Sequence, residues 1–189
     1  MHVMNSNMKL INPFDLQVDD YDVKIIARTL SRMCRFWSQT SHFYSVAQHC
    51  LEMDRYFQEY YIGDHDKDEL SKMALIHELF EAMTGLDIPS PYKHLFQEYV
   101  SAEYKTLKQF SNLLGITFPF PNEFKEIDTA MMVSEAITYI SDDIYWHEIA
   151  APLPIELTKE AIPMEVIEKK FLTRWEEIFG VIGIPSNTL

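Results

Sequence analysis

The segment LSKMALIHELFEAMTG, residues 70–85, has the spacing of an amphipathic helix. Its apolar side chains recur at i, i+3 and i+4 steps, and the same face continues into His77 and Glu81. A core-facing stripe that ends in a histidine and a carboxylate places polar groups where burial is costly unless a hydrogen bond or a metal satisfies them. The segment therefore predicts a buried helix that carries a polar site.

Three further residues, one inside this segment and two far from it, complete a set of metal-binding side chains. His49 precedes the segment, Glu78 adjoins His77, and Asp128 follows downstream. Two imidazoles and two carboxylates suit one divalent transition metal such as Zn, Co, Mn, Fe or Ni. Facing helices of a bundle can bring such residues to one point, so we predict one metal ion there, with Glu81 as a proton relay. A hydrogen-bonded polar network in the core remains the alternative.

Proline, glycine and capping residues mark where further helices begin and end along the rest of the chain. There is little β pattern, so the predicted fold is all-α, a single-domain helical bundle over residues 1–189. We predict an extended stretch at 8–17, helices over 20–34, from Ser45 onward, over 66–85, 94–114, 122–141 and 164–178, and irregular chain at 35–44, 86–93 and 142–163.

Composition narrows the class of partner. With 189 residues, of which 47% are hydrophobic, the chain can bury a core, and a formal net charge of -13 argues against binding of duplex nucleic acid.

Cys34 and Cys50 do not form a dense disulfide framework, which favours free thiols in a reducing compartment. Without a long apolar run or a signal-peptide pattern, we expect no membrane span and a cytoplasmic location.

Basic residues accompany the predicted ligands. Arg35 and Lys93 lie on loops beside the ligand helices and can neutralise a phosphate, while Asp87 can relay a proton. Metal, carboxylates and cations together suit hydrolysis of a phosphate ester. Each of the three also has a plainer interpretation, since Arg35 can cap a helix C-terminus, Lys93 can be solvated and Asp87 can form a turn.

Three stretches, taken in order, carry a resemblance to a known family. They are LSRMCRFWSQTSHFYSVAQHC, ALIHELFEAMTGLDIPSPYK and KEIDTAMMVSEA, which lie within residues 20–141. The chain resembles the HD-domain metal-dependent phosphohydrolases, in particular the compact 5′-deoxynucleotidases and the phage-encoded HD nucleotide hydrolases. Residues 142–189 lie outside the resemblance and are expected to form a C-terminal helical extension.

The resemblance implies a role for each matched residue. His49, His77 and Asp128 match the family's metal ligands, and Glu81 matches a catalytic glutamate. Further implied roles are catalysis for Asp87 and substrate binding for Arg35, Phe36, Trp37 and Lys93. The chain departs from the family pattern at two points: Glu78 stands where the family has aspartate, and Leu86 intervenes in the loop, so that Asp87 only approximates the family position.

The resemblance implies a small nucleotide substrate and allows a homo-oligomer. The substrate is expected to be a nucleoside 5′-monophosphate, which loses phosphate, or a deoxynucleoside triphosphate, which loses triphosphate. Two other classes stay open: a degenerate HD module that binds a nucleotide or a partner protein without turnover, and a purely structural helical protein.

Overall fold

Helices make up most of the chain, as the sequence predicted. The computed structural model describes residues 2–5, 7–181 and 183, with the backbone alone for Ser90 and Pro91. A short antiparallel pair of strands, β1 (Val3–Met4) and β2 (Leu10–Ile11), precedes the helices. The helices are α1 (Val23–Arg32), α2 (Val46–Glu59), α3 (Lys67–Ile76), α4 (Leu79–Thr84), α5 (Ser90–Lys93), α6 (Gln97–Leu114), α7 (Asn122–Tyr139), α8 (Ile144–Ile149) and α9 (Met164–Phe179).

Side-chain caps set where the first three helices begin. The carboxylate of Asp22 accepts hydrogen bonds from the amides of α1, which therefore starts three residues later than residue 20 would imply. The predicted caps Ser45 and Asp66 are confirmed, because each accepts a hydrogen bond from a first-turn amide of α2 and α3 respectively. The spacing of Asp66 and Glu69 also predicts a capping box, but the Glu69 carboxylate accepts a hydrogen bond from the Thr117 amide instead.

One hydrophobic core joins the N-terminal and C-terminal helices. Helix α2 packs against α3, and α9 packs against α1 and α2. Phe171 and Trp175 of α9 are fully buried in the same cluster as Leu30 of α1 and Met53 of α2. Helix α9 is also held at its surface by Arg174, whose guanidinium donates two hydrogen bonds to Asp54. A single domain over residues 1–189 stays a prediction.

The helix predicted over 66–85 is interrupted, and that prediction was wrong in its middle. Helix α3 ends at Ile76, and Glu78 has φ −96° and ψ 15° before α4 begins. In an uninterrupted helix the Ala74 carbonyl would accept from the Glu78 amide. Here Nδ1 of His77 lies 2.8 Å from that oxygen and takes its place. The break changes the direction in which the two neighbouring side chains project.

Two loops are more ordered than predicted. The stretch 142–163, predicted to be irregular, contains α8, which Asp143 caps, and the loop at 86–93 contains the short α5. In the loop at 35–44, Phe36, Trp37 and Ser38 all have positive φ, a conformation that non-glycine residues rarely adopt.

Among the described residues, the helices are all too short or too polar to cross a membrane.

Candidate metal centre

Three side chains from three helices converge at the break after α3. His49 lies in the first turns of α2, His77 at the end of α3 and Asp128 on α7. Nε2 of His49 is 3.0 Å from Nε2 of His77 and 3.1 Å from Oδ1 of Asp128, and the third separation is 3.8 Å. Among the described residues this is the group whose ligand atoms are arranged to hold a metal ion.

Both imidazoles are oriented by the nitrogen that faces away from this point. Nδ1 of His77 donates to the Ala74 carbonyl at 2.8 Å. Nδ1 of His49 lies 2.6 Å from Oε1 of Glu135 and donates to that carboxylate. Protons on both Nδ1 atoms leave both Nε2 atoms as the ligating nitrogens, which is the usual arrangement of metal-bound histidine.

Glu78 lies beside the two imidazoles at a slightly greater distance. Its Oε1 is 3.5 Å from Nε2 of His77 and 4.0 Å from Nε2 of His49. The same oxygen accepts a hydrogen bond from Nη1 of Arg35 at 3.3 Å. The carboxylate can therefore reach the centre, but it shares its oxygen with a guanidinium.

The donor separations fit a single divalent ion. Two ligands held about 2.0–2.1 Å from one ion are about 2.9 Å apart at a right angle and about 3.4 Å apart at the tetrahedral angle. The His49–His77 and His49–Asp128 separations of 3.0 and 3.1 Å lie within that range. The separation of 3.8 Å between Nε2 of His77 and Oδ1 of Asp128 is still shorter than twice the length of a metal–ligand bond. Two Nε2 atoms this close must share a proton or face a cation, because two bare lone pairs would repel.

Charge and burial oppose each other at the imidazoles. Burial and the charge of Arg35 disfavour protonation of His49, yet Glu135 and Asp128 together raise its pKa to about 9. Burial lowers the pKa of His77, although Glu78 and Asp128 act in the opposite direction. The surrounding carboxylates thus favour a positive charge at this point.

Glu81, the predicted proton relay, lies on α4 beside a cation. Its Oε1 is 3.8 Å from Nζ of Lys93, while Oε2 is buried and has no hydrogen-bond partner among the described residues. Burial raises the pKa of Glu81 well above its usual range, and the charges of Glu78 and Asp87 raise it further. A buried carboxyl with an unused oxygen beside a metal centre is suited to proton transfer.

Lys93 and Asp87, two of the other predicted site residues, interact with charged residues around the centre. Lys93 donates to Glu103 at 2.8 Å while it faces Glu81. Burial raises the pKa of the half-buried Asp87, which interacts electrostatically with Arg35 and Glu78.

Arg35 is buried and engaged on two sides, so its guanidinium is part of the internal network. Phe36 packs with its ring centroid 5.6 Å from that guanidinium and against Trp146. Trp37 is 57% exposed and lies against Tyr92, with ring centroids 5.6 Å apart. Of the two aromatic residues, Phe36 thus lies against Arg35 and Trp37 against Tyr92, and their substrate-binding roles stay predictions.

Two residues of the network were not predicted as site residues. Glu135 on α7 is fully buried and contacts Arg35, Tyr44 and His49. The sequence could have indicated Glu135, because it follows Asp128 by seven residues and therefore lies on the same face of a helix. Tyr44 offered no such signal, since it precedes α2 in a loop.

The chain was also compared with known proteins. No model of a protein family matches it. It is 30% identical over 146 residues to Uncharacterized protein YfdR of Escherichia coli strain K12, an alignment that covers 77% of this chain and 76% of that protein.

The chain belongs to the YfdR family. The name of the Escherichia coli member states no activity, so membership of the YfdR family assigns none to this chain.

Proposed function

We propose that this member of the YfdR family is a metal-dependent phosphohydrolase of the HD-domain type that acts on deoxynucleotides. The proposal rests chiefly on one observation: two imidazole Nε2 atoms and an Asp128 oxygen meet within 3.8 Å, with both Nδ1 atoms held by acceptors. The HD-domain resemblance of residues 20–141 supports it, because the matched histidines and aspartate are the ones that meet.

The residues around the centre have distinct tasks in this proposal. His49, His77 and Asp128 would hold the ion, with Glu78 as a fourth ligand. A bound divalent cation polarises a phosphoryl oxygen and lowers the pKa of a water molecule. Lys93 orients the phosphate by its charge, and Glu81 transfers a proton between water and the leaving oxygen.

The charge of the whole molecule favours a small substrate over a polymer. A net charge of -13 repels a long phosphate backbone, whereas a cation and a few basic side chains attract one nucleotide locally. A nucleoside 5′-monophosphate that loses phosphate and a deoxynucleoside triphosphate that loses triphosphate both fit. Trp37, which is exposed and lies against Tyr92 next to Lys93 in the sequence, is available for stacking against the base or the sugar.

Elemental analysis combined with a nucleotide panel tests the proposal. The purified protein should contain about one divalent metal per chain and release phosphate or triphosphate from a deoxynucleotide. His77→Ala should remove metal and turnover together while the helical circular dichroism spectrum is kept. His147→Ala, a surface histidine paired with Asp142, is the matched control and should change neither quantity.

The outcomes separate the classes of function. Metal with turnover supports the enzyme. Metal or nucleotide binding without turnover across the panel would contradict the enzyme and favour a degenerate binding module. Full activity of His77→Ala in chelated buffer would show that the reaction does not use this centre.

A further inference from the structure

Glu135 is a buried carboxylate that the proposed chemistry does not use directly. It lies on α7, seven residues after Asp128, and is completely inaccessible to solvent. Its Oε1 accepts from the Tyr44 hydroxyl at 2.8 Å and from Nδ1 of His49 at 2.6 Å. Its Oε2 accepts from Nε of Arg35 at 3.1 Å. Both oxygens are therefore engaged, and three different segments of the chain meet on one side chain.

The contact with His49 determines which imidazole nitrogen is available to a metal. A carboxylate that accepts from Nδ1–H keeps the proton on Nδ1 and leaves the lone pair on Nε2. Nε2 is the atom that points at His77 and Asp128. A partner of this kind also fixes the plane of the ring and makes the ligating nitrogen more basic.

The contact with Arg35 extends the same control to a second ligand. The Arg35 guanidinium donates through Nε to Glu135 and through Nη1 to Oε1 of Glu78. Because the guanidinium is planar and rigid, fixing one edge of it on Glu135 also fixes the edge that Glu78 contacts. Glu135 thus reaches His49 directly and Glu78 through Arg35.

We propose that Glu135 is a positioning residue, which holds His49 in the Nδ1–H tautomer and places the Glu78 carboxylate through Arg35. This inference rests on the metal centre of the proposed function, but not on the hydrolytic reaction. It also explains how a glutamate is accommodated where the related HD enzymes have aspartate, because Arg35 determines where the longer side chain ends.

A glutamine at this position cannot serve both arms of the network. Its amide has one acceptor oxygen, whereas the carboxylate uses two. If that oxygen accepts from His49, the amide NH2 group opposes the Nε–H of Arg35. If the amide is turned over, its NH2 group faces Nδ1 of His49 and favours the tautomer that has its proton on Nε2. In either arrangement one ligand is misplaced or blocked.

Binding of Co²⁺ to the full-length protein tests the inference. The measurement is chelator competition, with the visible spectrum of bound Co²⁺ as a report on ligand geometry. We expect Glu135→Gln to weaken Co²⁺ binding by about 10–100-fold and to change the spectrum. Glu52→Gln is the matched control, because Glu52 is also a largely buried carboxylate paired with an arginine, Arg55, and its variant should bind as the wild type does.

A purely structural role for Glu135 would give a different result. It would lower the melting temperature of the metal-free protein and leave the affinity and spectrum of the folded fraction unchanged. Wild-type affinity and spectrum in Glu135→Gln would therefore overturn the inference.

A second measurement keeps the inference testable if Glu135→Gln does not fold. In wild-type protein loaded with Zn²⁺ and labelled with ¹⁵N-histidine, the long-range proton–nitrogen spectrum should show His49 protonated at Nδ1. Ligation through Nδ1, or a bare Nδ1, would overturn the inference.

Failure of the positioning role of Glu135 is distinguishable from failure of the proposed function. Metal binding without turnover contradicts the hydrolase alone, and metal binding that is indifferent to Glu135 contradicts the positioning role alone. A wild-type protein that binds no Co²⁺ contradicts both.

Discussion

At the scale of single residues, Glu78 is the side chain that departs from the HD-domain pattern predicted from the sequence. Its Oε1 lies 3.5 Å from Nε2 of His77 and 3.3 Å from Nη1 of Arg35, so it stands between a ligand and a cation. Burial would raise the pKa of Glu78, but His77 and Arg35 lower it to about 2. The carboxylate is therefore ionised at neutral pH and suited to bind a cation.

Shortening this side chain is the first prediction. Glu78→Asp withdraws the carboxylate from both Arg35 and the imidazoles, so we expect metal affinity to fall by about 10–100-fold, as it does when groups around a metal are displaced. Metal titration followed by phosphate release measures the effect. Glu52→Asp, the same shortening at a carboxylate paired with Arg55, should change neither quantity. A gain of affinity or activity in Glu78→Asp would mean that the present centre is degenerate.

Removing the ionisable group of Glu81 is the second prediction. Glu81→Gln keeps the size of the side chain and should leave metal content unchanged, because Glu81 contacts Lys93 and is not among the ligand atoms that converge. The chemical step should slow by about 10²–10⁴-fold, the usual contribution of general acid–base catalysis. Single-turnover kinetics on the metal-loaded variant measure it. Loss of metal from Glu81→Gln would instead identify Glu81 as a ligand.

At the scale of elements, local patterns predicted the helices but not the break in the one that matters most. Apolar periodicity and the caps Ser45 and Asp66 correctly indicated α2 and α3. The same periodicity runs unbroken through His77, because it does not register that an imidazole competes with an amide for the Ala74 carbonyl. A helical bundle allowed the ligands to converge, and the HD-domain resemblance indicated which residues would do so, since helix faces alone do not specify which helices meet.

The left-handed turn at Phe36–Ser38 was equally beyond local patterns. Sequence rules reserve positive φ for glycine and asparagine, yet three consecutive other residues adopt it. The turn is closed by hydrogen bonds from the Ser38 amide to the Arg35 carbonyl and from the Gln39 amide to the Phe36 carbonyl. Strain of this kind persists where the surrounding structure imposes it, and here the turn places the Trp37 ring against Tyr92.

The glycine that ends α4 gives the third prediction. Gly85 has φ 72° and, like Gly115 at the end of α6 with φ 67°, has no atom from elsewhere in the described part of the chain within 4 Å of where a Cβ would lie. Alanine at either position is strained by its backbone alone, so Gly85→Ala and Gly115→Ala should each lower the free energy of unfolding by about 1 kcal/mol. Chemical denaturation measures both variants. Unchanged stability would show that these helices end without a left-handed residue.

At the scale of the whole molecule, the C-terminal helix is part of the core that supports the centre. Phe171 and Trp175 of α9 are buried with residues of α1 and α2, although the HD-domain resemblance of the sequence ends at residue 141. Helix α2 carries His49, so α9 supports from behind the helix that presents a ligand.

Removing the largest of these side chains is the fourth prediction. Trp175→Ala should lower the free energy of unfolding by about 3–5 kcal/mol, the range for truncating a buried aromatic side chain, and the loss should appear in a single cooperative transition. Val166→Ala, at a half-exposed position of the same helix, should stay within about 0.5 kcal/mol of the wild type. Two separate transitions in Trp175→Ala would divide the chain into independently folding parts.

The central claim is that three helices assemble a centre for one divalent ion. Anomalous X-ray scattering from crystals grown with Co²⁺ or Mn²⁺ locates such an ion without reference to activity. We predict one strong peak at about 2.0–2.2 Å from Nε2 of His49, Nε2 of His77 and Oδ1 of Asp128, as expected for ligands of a first-row metal. No peak between these atoms at saturating metal, or a peak bound elsewhere on the chain, would contradict the claim.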